Sequence, residues 1–150
     1  MITRIAVALA LCSSFQPTVP HPLEGAWKIT YPWHLEMENG VAKPVMETGE
    51  LKVEAHGDSL IATLVTTHTS EFSPTRPFRL ATLRGSDEAV FVMRDQVSFN
   101  MRGTERQAIA VSTWILQADG DQIRGSLERR LEGINEGLGR LPLTGNRIRP

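Results

Sequence analysis

Gly25-Ala26-Trp27-Lys28-Ile29-Thr30-Tyr31-Pro32-Trp33-His34-Leu35-Glu36-Met37 is the stretch that decides the fold class. Its large apolar residues Trp27, Ile29, Tyr31, Trp33, Leu35 and Met37 fall on every second position, with Lys28, Thr30, His34 and Glu36 between them. Successive side chains of a strand point to opposite faces, so this spacing predicts a strand with one buried face. Pro32 has no amide hydrogen to give a neighbouring strand, and it predicts a bulge, an edge or a bend near the middle of the run.

Working outward, Asn39-Gly40 supplies a turn, and Leu51, Val53 and Ala55 alternate with Lys52, Glu54 and His56 in a second strand. Gly57-Asp58, Gly120-Asp121 and Gly85-Ser86-Asp87 each stand between apolar strand-like runs and predict tight hairpins. Glycine accepts the positive φ such turns need, and aspartate bonds its own turn backbone. Further runs around Leu60, Phe78, Val90, Val97, Trp114, Ile123 and Leu141 bring the count to about eight or nine strands, all short and evenly spaced. Such a meander predicts an all-β fold, a single antiparallel up-and-down barrel, because closure removes exposed edges; a β-sandwich is the alternative.

The N-terminus is read separately. Met1 to Arg4 is short and basic, Ile5 to Leu11 is apolar, and Cys12-Ser13-Ser14 offers small residues for cleavage, the pattern of a secretory signal peptide over residues 1–14. A lipid anchor on Cys12 is the variant reading, with Leu11 large for the position before such a cysteine. The apolar run is too short to span a bilayer, which takes roughly 20 residues, so the chain is read as secreted or periplasmic and not as an integral membrane protein. Residues 15–24, rich in proline, form an extended leader, and 25–150 the domain. Cys12 is the only cysteine, so a chain cut after Ser14 has no thiol for disulfides or metals. With 16 basic against 17 acidic residues, no field of one sign points to nucleic acid.

Gly25, Trp27 and Arg147 carry a family resemblance. The chain resembles the calycin group of barrels, lipocalin-like and fatty-acid-binding-like proteins, in which Gly-X-Trp on the first strand packs beneath an arginine from the last. The resemblance spans the domain in strand count and rests on three residues. It implies a structural clasp of Gly25, Trp27 and Arg147 sealing one end of the barrel. It also implies a cavity for a small lipophilic ligand, and the eight-stranded geometry leaves room either for such a molecule or for filling side chains.

The candidate lining residues are Tyr31, Trp33, Phe99, Met101 and Trp114. Among polar residues in phase with apolar ones, Leu60, Ala62, Leu64 and Thr66 place His68 inward, Val90 and Val92 place Arg94 inward, and Ile123, Leu127 and Leu131 place Arg129 inward. A buried arginine needs a partner, and a ligand carboxylate could be that of Arg129; the plainer reading of both arginines is that they lie at strand ends and reach water past their aliphatic stems. His34 and Glu36 share a face but lack a third ligand at usable spacing, so no metal and no cofactor is expected. No nucleophile elbow, zinc-protease helix, phosphate loop or dinucleotide fingerprint occurs, so no catalytic residue is assigned. The readings that stand are a binder of a small hydrophobic or weakly acidic ligand, a protein-binding module using the leader from Phe15 to Pro22, and a lipocalin-like enzyme assembled from dispersed strands.

Overall fold

The computed structural model describes residues 19–67, 76–101, 103–133 and 137–149. They form eight strands: β1 (Gly25–Glu38), β2 (Val41–His56), β3 (Ser59–Thr66), β4 (Phe78–Leu83), β5 (Glu88–Met101), β6 (Thr104–Asp119), β7 (Gln122–Leu131) and β8 (Gly137–Arg147). All ladders are antiparallel, in the order β4-β3-β2-β1-β8-β7-β6-β5. The first strand therefore meets the last, with Trp27 opposite Arg147 and Thr30 opposite Thr144. The barrel is nearly closed, and its seam lies in mid-chain between β4 and β5, which are neighbours without a shared ladder. Among the described residues no helix is long and apolar enough to cross a membrane.

Alternation builds the core as the sequence predicts. Trp27, Ile29 and Tyr31 on β1 meet Leu51 and Val53 on β2, Leu60, Ala62 and Leu64 on β3, Phe91 on β5, Trp114 and Leu116 on β6, and Ile123 and Leu127 on β7, all buried. Each large side chain taken wholly out of water contributes about 1.5–3 kcal/mol, which makes this cluster the main support of a fold without disulfides. Gly125 lets β6 and β7 approach closely: a Cβ there would sit 1.9 Å from the Ile115 carbonyl oxygen.

The run after Pro32 departs from strict alternation. The β1–β2 register jumps between Pro32↔Met46 and His34↔Val45, leaving Trp33 in a bulge. One extra residue reverses the faces, so Leu35 and Met37 pair with Pro44 and Ala42 on the outside, 43% and 71% exposed, whereas Trp33 stays inside at 6%. Leu35 and Met37 thus do not continue the buried face of Trp27. A second parity differs on β5, where Ala89, Phe91 and Met93 face the core while Val90 and Val92 are exposed. Arg94 shares the outer face with them and pairs with Glu132 at 3.2 Å, so it does not point into the barrel.

Candidate ligand-binding site

Two arginines lie over two tryptophans of the same strand, one pair at each end of the barrel. At the end carrying the Gly57 and Gly120 turns, the Arg147 guanidinium carbon is 4.1 Å from the Trp27 ring centroid. Arg147 Nη1 donates to the Glu24 carbonyl at 2.7 Å, and Nη2 donates to the carbonyls of Pro22 at 3.0 Å and Gly120 at 3.5 Å. Nε lies 3.6 Å from Asp121 Oδ1. Trp27 Nε1 donates to the Leu23 carbonyl at 2.8 Å. Gly25 is required here, with φ +127° and a hypothetical Cβ only 2.5 Å from Arg147 Nη1.

The leader belongs to this plug. The ring of His21 accepts the Leu23 amide at Nδ1, at 3.2 Å, which leaves Nε2 to donate to the Ser86 carbonyl at 2.9 Å. The carbonyl of Val19 accepts from Arg84, which also lies 3.8 Å from Glu24. Residues 19–24 are therefore folded against the β4–β5 loop, across the seam at this end.

At the opposite end, the Arg129 guanidinium carbon lies 4.2 Å from the Trp33 ring centroid, and Phe78 packs on the same indole at 5.1 Å with a 38° tilt. This stack joins β7, β1 and β4 at this end of the barrel. Arg129 donates no hydrogen bond to the described residues, in contrast to Arg147; the charge beside it is Asp95, inward on β5. Burial pulls its pKa down, and Asp95 partly restores it.

Beneath the stack the interior turns polar. Tyr31 touches Trp33 at 6.1 Å and Trp114 at 5.3 Å between centroids, and its hydroxyl shares a hydrogen bond of 2.8 Å with Thr66 Oγ1. Burial raises the Tyr31 phenol to about 12, opposed by the Thr66 bond and reinforced by the Glu47 charge. Glu47 stands opposite Tyr31 in the ladder and is wholly buried. Ser112 and Trp114, both wholly buried on the inner face of β6, have Oγ and Nε1 atoms without a hydrogen-bond partner among the described residues. Ser112 is directly opposite Arg129 in the β6–β7 ladder. A buried donor left unmatched costs about 1–3 kcal/mol.

The structure thus gathers Tyr31, Trp33, Trp114 and Arg129 of the sequence-predicted site, and removes Arg94 to the outer face. His68 and the side chains of Phe99 and Met101 lie outside the described residues. Sequence reading passed over Glu47, Asp95 and Ser112, although the parity of Glu47 with Leu51 and Val53, and of Ser112 with Trp114 and Leu116, carried the signal. Among the described residues, no three metal-ligating side chains come together. A depression of about 580 Å³ is lined by Val111, Thr113, Glu128, Arg130 and Leu131 of β6 and β7. Comparison with known protein families, curated proteins and solved structures finds no match.

Proposed function

We propose that this protein is an exported, lipocalin-like barrel that binds a small, mostly apolar ligand at its Trp33–Arg129 end. The observation that carries this reading is the contrast between the two stacks. Arg147 is tied to three backbone carbonyls and forms a permanent plug, whereas Arg129 is held by the Trp33 face and the nearby charge of Asp95. A guanidinium held by ring attraction and a nearby charge, without a hydrogen bond to the described residues, can swing aside for a ligand at a cost dominated by the ring attraction, about 0.5–2 kcal/mol. The aromatic walls of Tyr31, Trp33, Phe78 and Trp114 suit an apolar guest with few polar groups. A weakly acidic guest would meet Arg129 on entry.

The alternative of a protein-binding module that inserts its leader is less well supported, since residues 19–24 are folded onto their own barrel. Native mass spectrometry of the protein purified gently from its source tests the proposal. It is expected to show a co-purifying small mass on a chain beginning at Phe15. A ligand-free chain that also ignores apolar probes at millimolar concentration would refute the binding reading; a retained N-terminus would refute export.

A further inference from the structure

We infer that the polar group of the ligand is a neutral carbonyl, received by Ser112 Oγ and Trp114 Nε1 beneath the Arg129–Trp33 stack. This rests on the ligand-binding reading above and adds the chemistry of the guest. Ser112 and Trp114 are successive inward residues of β6, both wholly buried, and both offer a hydrogen that no described residue accepts. An indole N–H can only donate, and a serine hydroxyl is free to do so. A carbonyl oxygen has two lone pairs and no proton, so it is matched to donors of this kind and asks for none in return.

The charges of the site argue for a neutral group over an anion. Arg129, opposite Ser112 on β7, already feels the charge of Asp95 from β5, so an anion would not meet an isolated cation. A carboxylate lowered past the stack would enter a desolvated interior and approach the buried Glu47, which stands opposite Tyr31 in the ladder. A ketone, ester or amide carbonyl carries no such penalty. Arg129 on this account is part of the lid and not the anchor.

The test uses the full-length, 15N-labelled protein with 2-octanone and octanoate as matched probes, followed through the indole N–H signals of its three tryptophans. The expected result is that 2-octanone binds at least tenfold more tightly than octanoate and moves the Trp114 indole proton downfield. Ser112→Ala should weaken 2-octanone about three- to tenfold while circular dichroism stays unchanged. Octanoate binding as tightly as the ketone, or ketone binding that leaves the Trp114 signal in place, would overturn the carbonyl assignment while leaving the barrel a binder. Failure of both probes to bind would overturn the assignment together with the binding reading. Should Ser112→Ala not fold, the wild-type shift of Trp114 and the ketone-to-carboxylate ratio still decide.

Discussion

Replacing Arg147 by leucine should cost far more than replacing Arg129 by leucine, although both arginines lie about 4 Å from a tryptophan ring. Arg147→Leu loses the ring attraction, about 0.5–2 kcal/mol. It also strips the Glu24 carbonyl, in a part-buried position, of a charged donor at 2.7 Å, about 1.5–3 kcal/mol. The contacts to Pro22, Gly120 and Asp121 lie at the surface and add little. The expected loss is about 3 kcal/mol, and at roughly 2–4 °C per kcal/mol for a chain of this size the melting temperature should fall about 6–12 °C. Arg129→Leu loses the stack and the attraction to Asp95 but also relieves the desolvation of a buried cation, so its cost should stay within about 1 kcal/mol. Urea unfolding followed by circular dichroism gives both numbers, provided the slope m is unchanged. Equal losses, or an Arg147→Leu variant within about 1 kcal/mol of the wild type, would refute the claim that one stack is a fastening and the other a loose lid.

Gly125→Ala should destabilise the barrel by more than about 3 kcal/mol, since its Cβ would collide with a backbone oxygen that cannot move away alone; an unfolding midpoint close to the wild type would contradict this. Tyr31 is the only tyrosine, so phenolate absorbance reports it alone. Its folded pKa near 12 lies above the unfolded value near 10, so the folded state holds more protons in between. Stability should then fall as pH rises through that window, by about 2–3 kcal/mol in all. Titration of the folded protein near pH 10 would exclude the buried Tyr31–Thr66 pair. Met37→Lys should change stability by no more than about 0.5 kcal/mol, because the bulge turns Met37 outward, while Ile29→Lys should prevent folding; comparable effects would restore the unbroken alternation.

Strict alternation made most of the barrel legible in the sequence. The pairing of Trp27 with Arg147 and the turns at Gly57 and Gly120 stand where local pattern put them. Parity failed where one residue changed its sense. Pro32 signalled a bulge, yet nothing local told whether Leu35 and Met37 would keep the face of Trp33 or lose it, because register is settled by the partner strand. On β5 the choice between Val90–Val92–Arg94 and Phe91–Met93–Asp95 was ambiguous, as both rows carry apolar residues and end in a charge. Packing of Phe91 into the core decided it. The site was legible as a list of aromatic residues but not as a stack, since bringing Phe78, Trp33 and Arg129 together needs the barrel closed across three strands far apart in the chain.

The claim that the Arg147 end is sealed and the Arg129 end admits the ligand is tested most directly by fluorine NMR of protein made with 5-fluorotryptophan, titrated with 2-octanone. Its three tryptophans stand at the plug, at the lid and beneath it. The account predicts that the Trp33 and Trp114 resonances move together with saturation while Trp27 stays fixed. A shift of Trp27 with the other two at rest, or no shift at any of the three up to millimolar ligand, would contradict it.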